Sequence, residues 1–314
     1  MTSHVRDFAG YRGNPPHVTW PGNARVAVSF VVNLEEGAEL AIADGDERNE
    51  KVYEAIEEVV GAPDPCMMTH FEYGPRAGYW RIMDVLGSRG LHATISSCGR
   101  AVERSPELVA DAVARGHEIS CHGYRWETHA GMEESRERAA IARTAEAIAA
   151  AAGRPPVGWH TRSAASVNTR RLLCEHGGFL YDSDAYNDDL PYVLTVGGAP
   201  HVVLPYSFDT NDMRFGPGGG FVFAEDFARY CADAFDRLWE EGAKVPKMMS
   251  IGLHLRFIGR PARIRGLEMF LDHIARKGRA WIARRDEIAH HWRSVAGLDP
   301  WAPAAARHPQ AVAD

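Results

Sequence analysis

Residues 25–37 read Arg25-Val26-Ala27-Val28-Ser29-Phe30-Val31-Val32-Asn33-Leu34-Glu35-Glu36-Gly37. The run Val26, Val28, Phe30, Val31 and Val32 makes 25–33 a strand apolar on both faces, as strands are when parallel sheets are covered from both sides. It breaks off into Asn33, Glu35 and Glu36, polar groups that such a run does not need. Downstream the rhythm repeats. Further strands are expected over 92–97, 118–121, 157–160, 179–182, 202–205, 248–254 and 280–282. Helices are expected between and after them, over 77–89, 105–115, 133–152, 168–176, 224–241, 261–276 and 284–295. Strand–helix alternation with short connections builds parallel βαβ units. Seven or eight of them in a row predict an α/β fold closed into a (β/α) barrel rather than an open sheet. Upstream, residues 1–24 are rich in turn formers (Gly10, Gly13, Asn14, Pro15, Pro16, Pro21, Gly22) and read as an arm laid on the barrel. The barrel domain is expected over 25–295, and the Ala- and Pro-rich stretch 296–314 as a loosely ordered tail.

The composition supports a globular chain. Its 314 residues are 45% hydrophobic and 25% charged, which excludes wholesale disorder and fibrous proteins. Thirty-five Lys and Arg against 42 Asp and Glu give a net charge of −7, with no basic block to hold nucleic acid or an anionic membrane. No stretch reaches the roughly 20 apolar residues of a membrane span, and the first residues lack the apolar core of a signal peptide. Cys66, Cys98, Cys121, Cys174 and Cys231 are odd in number and scattered, as reduced thiols of a cytoplasmic protein are.

In parallel α/β folds chemistry gathers at the carboxyl ends of the strands. Polar residues just past each expected strand are therefore the site candidates: Asn33, Glu35 and Glu36, then His122, His160 and Arg162, Asp182 and Asp184, Asp209 and Asp212, and His254. The acidic run 182–189 reads equally well as solvated or turn-forming. The glycine-rich 216–220 lacks the Lys-Ser/Thr of a phosphate loop and reads as a flexible lid.

A catalytic metal needs about three His or carboxylate ligands. Glu35 or Glu36 with His122 supplies two. One helical turn beyond His122 stands Trp126, whose indole has no lone pair to give, and His129 and His254 have no diagnostic spacing. The expectation is no metal and no other cofactor. Hydrolysis of an amide then needs a carboxylate or imidazole to deprotonate water and a donor for the leaving nitrogen. Glu35 or Glu36, His122 and His254 can fill those roles.

Val32-Asn-Leu-Glu-Glu-Gly37, Glu118-Ile-Ser-Cys-His-Gly-Tyr-Arg-Trp126 and Gly252-Leu-His254 resemble the ordered motifs of the NodB-homology polysaccharide deacetylases. That family has a distorted (β/α) barrel. Its usual members bind a divalent metal through an Asp in the first motif and two His, four apart, in the second. Here Glu35 stands in place of that Asp and Trp126 in place of the second His. Both departures resemble one branch, the metal-independent allantoinases. The likeness continues through Tyr11-Arg-Gly-Asn-Pro-Pro-His17, Glu72-Tyr-Gly-Pro-Arg-Ala-Gly78, Asp209-Thr-Asn-Asp-Met-Arg-Phe215 and Ile258-Gly-Arg-Pro261.

The resemblance implies a pocket holding Glu35, Glu36, His122, Trp126 and His254, with Asp209 and Asp212 close by. It implies ring-amide hydrolysis, most simply allantoin to allantoate. Glu35 or Glu36 would activate water, His254 would protonate the departing nitrogen and His122 would polarise the carbonyl. Trp126 would wall the carboxylate off and raise its pKa. Asn33, Trp126, His160, Arg162, Asp209 and Asp212 would contact substrate. The segment from His160 to Val167 departs from the branch pattern, so a cyclic imide or another ureide fits as well as allantoin. The branch also implies a homo-oligomer, a tetramer. Two other readings stay open: a metal-dependent N-deacetylase of sugar polymers with its metal at His122, and a degenerate barrel that only binds a ligand.

Overall fold

Val26–Leu34 forms β1, and every one of its residues is buried. In the computed structural model, which describes residues 6–52, 57–162 and 164–303, this strand organises a nine-stranded sheet. Along one edge it pairs in parallel with β8 (Lys247–His254). The other edge is shared by two strands: β2 (Thr94–Ser97) takes Val31 to Leu34, and β9 (Ala280–Ile282) takes Val26 to Val28. Beyond β2 the parallel array continues through β3 (Glu118–Cys121), β4 (Gly158–Trp159), β5 (Tyr181–Asp182) and β7 (Ala199–Val203). β6 (Tyr192–Val196) is antiparallel to β7.

The eight strands read from the sequence are all present, mutually parallel, and curl into a distorted (β/α) barrel. It is not fully closed by ladders. Between β7 and β8 irregular chain fills in, with Met248 N donating to Asp189 O at 2.8 Å and Gly252 N to Thr210 O at 3.0 Å. The register sets the working end. Asn33 lies beside His254, Leu34 beside Ser97, Ser97 beside Cys121, Cys121 beside Trp159, and Trp159 beside Asp182. One rim thus collects the residues that follow each strand.

The helices α1 (Pro65–Tyr73), α2 (Tyr79–Gly87), α3 (Gly99–Arg104), α4 (Pro106–Ala114), α5 (Glu134–Ala152), α6 (Thr169–His176), α7 (Ala224–Glu241), α8 (Ile264–Lys277) and α9 (Arg285–Val295) surround the sheet. Phe30 of β1 meets Phe270 of α8 edge to face within the main apolar core. Trp20, in the expected arm, is buried against Trp281 and Trp292. Residues 1–5 of that arm and 304–314 of the expected tail lie outside the described residues.

α1, α3 and β6 were not expected. Asp64 caps α1 through Met67 N at 3.1 Å, and Pro65 occupies its first turn. The Gly74–Gly78 segment then continues as a π turn into α2 rather than ending the helix. The five cysteines are free thiols. Among the described residues no helix is long and apolar enough to cross a membrane.

Candidate active site

At the carboxyl rim, Asn33, Glu35, His122, Trp126, His160, Arg162 and His254 line one cavity of about 180 Å³. Glu35 is the hub. Its Oε1 lies 3.2 Å from His122 Nε2 and 3.5 Å from His254 Nε2, and its Oε2 accepts from Arg256 Nη1 at 2.7 Å. All four side chains are almost fully buried. Burial alone would raise the Glu35 carboxyl. The charges of His254 and Arg256, with hydrogen bonds from His122 and His254, outweigh it and hold the group well below the usual carboxylate range. The expectation that a Trp126 wall raises the carboxylate is therefore corrected for Glu35, because His254 and Arg256 supply counter-charge that outweighs burial.

Each histidine is oriented from behind. His122 Nδ1 donates to His160 O at 2.7 Å, which leaves Nε2 as the atom facing Glu35. His254 Nδ1 donates to Asp212 Oδ1 at 2.6 Å, and Asp212 Oδ2 accepts from the backbone N–H groups of His254 and Ile258 at 2.7 and 3.0 Å. Burial opposes a charged His254 ring. The Glu35 and Asp212 carboxylates prevail and raise it to about 10, so it is an imidazolium at neutral pH. His160 goes the other way: burial, His122 and Arg285 push it well below the ordinary histidine range.

Trp126 is set by its backbone N–H on Ala38 O at 3.0 Å. The Arg162 guanidinium lies 3.5 Å over its ring and donates to its carbonyl at 2.8 Å. Three residues expected in or beside the pocket, Glu36, Asp209 and Asp212, do not line the cavity. Glu36 turns away: its Oε1 accepts from Arg256 N at 3.2 Å and its Oε2 from Glu35 N at 3.2 Å. Gly74 makes this possible, because a Cβ there would stand 2.6 Å from Glu36 Cδ. Burial first, then the neighbouring Glu35, pushes Glu36 up to about 7 against the pull of Arg256. Asp209 is exposed and accepts from Tyr230 at 2.5 Å, outside the cluster. Asp212 touches His254 rather than the cavity.

Asp182 and Asp184 are held by the protein rather than solvated, and Asp182 is turn-forming as expected, its Oδ1 accepting from Asp184 N at 3.0 Å. Arg170 and His201 hold Asp182, and Thr161 holds Asp184. His129 pairs with Glu137 away from the cavity. The 216–220 loop packs on Arg214, whose Nε donates to Gly219 O at 2.9 Å.

The sequence reading missed Arg256 and Tyr206. Arg256 had a signal, standing two residues past His254 in the turn that leaves β8, where Phe257 N and Ile258 N donate back to His254 O at 3.0 and 3.2 Å. Tyr206 also follows its strand directly. Lys51 and Phe208 reach the cavity from loops that no local pattern marks, whereas Asn211 and Met213 lie inside the 209–215 motif and were missed there.

The sequence profile of the polysaccharide deacetylases matches residues 60–177. A putative polysaccharide deacetylase of Schizosaccharomyces pombe is 38% identical over 313 residues, covering 92% of this chain and 97% of that protein. The chain belongs to the polysaccharide deacetylase family. Two solved structures align at a TM-score of 0.88. The probable polysaccharide deacetylase from Pseudomonas aeruginosa PAO1 is 46% identical, over 92% of this chain and 98% of that one. The PuuE allantoinase is 44% identical, over 92% and 97%.

The metal that this family's motifs imply does not fit the residues present. Trp126 offers no lone pair, and the Arg256 guanidinium already pairs with Glu35 Oε2 at 2.7 Å, which opposes a second cation on that carboxylate. Among the described residues no three His, Cys, Asp or Glu side chains are arranged to hold a metal ion.

Proposed function

We propose that this chain is a hydrolase that opens small cyclic amide, ureide or imide rings, allantoin among them, with side chains in place of a metal. One observation carries the reading: a buried carboxylate is held between two histidines and an arginine, and opens on a cavity of about 180 Å³. That volume is below the roughly 300–1,000 Å³ of drug-sized ligand sites and suits a single small ring. The 44% identity to the PuuE allantoinase supports the same class of substrate.

Water held against Glu35 Oε1 attacks the ring carbonyl. Its oxygen forms the new C–O bond and its proton passes to Glu35, while His122 Nε2 orients it. The C–N bond breaks as His254 Nε2 gives its proton to the departing nitrogen, leaving an acid and an N–H₂ group on one opened chain. Glu35 is a weak base only while His254 is charged. As His254 loses its proton, the strongest attraction holding Glu35 low disappears, and burial favours the protonated carboxyl. The two transfers therefore assist each other, and passage of the proton from Glu35 to His254 across 3.5 Å resets the site.

Metal-stripped protein assayed against allantoin, hydantoin, succinimide and an N-acetylated chito-oligosaccharide tests this. Ring opening that survives exhaustive chelation is expected. Turnover of the oligosaccharide alone, lost on chelation, overturns the reading.

A further inference from the structure

Asn33 and Tyr206 are both buried and both line the cavity beside Glu35. The hydrogen bonds around them fix which atom each can offer a ligand. Asn33 Nδ2 donates to Leu253 O at 3.1 Å and to the Tyr206 hydroxyl at 3.2 Å. Only an N–H can face a carbonyl oxygen, so the amide orientation is determined, and Oδ1 is left as a buried acceptor with no donor. Asn211 is oriented in the same way: its Oδ1 accepts from Met213 N at 2.9 Å, while its Nδ2 reaches Ser207 O at 3.3 Å and the Tyr206 hydroxyl at 3.4 Å. The Tyr206 oxygen thus receives two N–H groups, and its own proton is not spent on either. Gly252 leaves room for this arrangement, since a Cβ there would stand 2.2 Å from Asn211 Nδ2 and 2.4 Å from the Tyr206 hydroxyl. Two residues of the cavity wall therefore hold a buried unspent acceptor, Asn33 Oδ1, and an unspent donor, the Tyr206 O–H.

An acceptor and a donor side by side match a group that presents N–H and C=O on one edge. A five-membered ring forces its amide to be cis, so both point the same way. An N-acetyl group on a sugar is a trans secondary amide, with its N–H and C=O on opposite sides, and addresses one partner at most. We infer that Asn33 Oδ1 and the Tyr206 hydroxyl form a cis-amide reader that selects small rings with an unsubstituted N–H beside a carbonyl, and rejects N-alkylated rings and open-chain acetamides. The inference rests on the ring-hydrolase reading and narrows its substrate class. The ring N–H donates to Asn33 and one carbonyl accepts from Tyr206. In an imide or hydantoin the second carbonyl on the same nitrogen is left to be attacked from the Glu35 side.

The test pairs turnover with binding. Succinimide and N-methylsuccinimide are compared as substrates, and γ-butyrolactam, its N-methyl derivative and γ-butyrolactone as competitive inhibitors of similar shape. The wild-type protein should favour succinimide over its N-methyl form, and the lactam over both analogues, by about 10- to 100-fold. Tyr206→Phe and Asn33→Ala should each weaken lactam inhibition and shrink that preference to a few-fold or less; Tyr206→Phe keeps the ring packing if Asn33→Ala fails to fold. Succinimide opened with no discrimination against the N-methyl ring, or discrimination unchanged in folded Tyr206→Phe, overturns the reader and leaves the hydrolase reading standing. If none of these rings is bound or opened while N-acetylated sugars are deacetylated, both fall together.

Discussion

Two buried charge clusters sit at the same rim of the barrel, a few strands apart. In one, Glu35 meets His122, His254 and Arg256. In the other, Asp182 meets Arg170 at 2.6 Å and His201 at 2.8 Å, while Asp184 accepts from the Thr161 backbone and hydroxyl at 2.7 and 2.8 Å. Residue types and burial are alike. The pKa perturbations are alike too: burial opposes charge on His201 but Asp182 raises it to about 9, and burial with the charge of Asp182 lifts Asp184 to about 8. The difference is saturation. The Asp182 cluster spends its carboxylates on the protein and joins α6 to β5 and β7. The Glu35 cluster borders a cavity on which Asn33 and His160 keep buried atoms without partners. A perturbed pKa alone therefore does not mark a working site; unspent capacity beside a cavity does.

Substitutions sharpen or break this contrast. Glu35→Gln keeps the shape and removes the charge; kcat for ring opening should fall by about 10²–10⁴, with the secondary structure by circular dichroism retained. Asp182→Ala should do the reverse. It strands Arg170 and His201, so stability measured by urea unfolding should drop by about 3–5 kcal/mol, while kcat of the folded fraction stays within about threefold. A large loss of kcat in folded Asp182→Ala would erase the distinction between the clusters.

The pH profile gives a smaller effect with a definite sign. His254 acts as an acid and must be protonated, so kcat should hold across neutral pH and fall as pH rises through about 10. Asp212→Asn removes one of the carboxylates that raises it, and the alkaline limb should move to lower pH. A limb that stays put in Asp212→Asn would remove His254 as the titrating acid. Least affected should be Asp209→Asn, which disturbs the exposed contacts with Tyr230 and Arg214 and should change kcat/KM by no more than about twofold.

Most of the fold was legible because it rests on long periodic runs. The eight parallel strands and α2, α4 to α9 follow from β-branched runs, helix periodicity and Gly or Pro punctuation. α1 escaped because it buries only Phe71 and so shows no apolar stripe, and at Gly74-Pro75 the chain passes on as a π turn that makes room for Glu36. β6 escaped although Gly197 and Gly198, at φ of 59° and 85°, build the two-residue turn that hairpins favour. The site was legible as a set of strand ends, not as an electrostatic balance. Which of Glu35 and Glu36 faces the cavity depends on Gly74, and the state of Glu35 depends on His254 and Arg256. All three lie far from the first strand in sequence, and no local pattern ties their effect on the two carboxylates to it.

The divided edge of β1 has a consequence for accuracy. With β8 along one flank and β9 and β2 gripping successive halves of the other, the strand cannot slide without breaking three ladders at once. Asn33 and Glu35, at its exit, inherit that clamp: the loop that carries the chemistry is anchored to the least displaceable rail in the molecule.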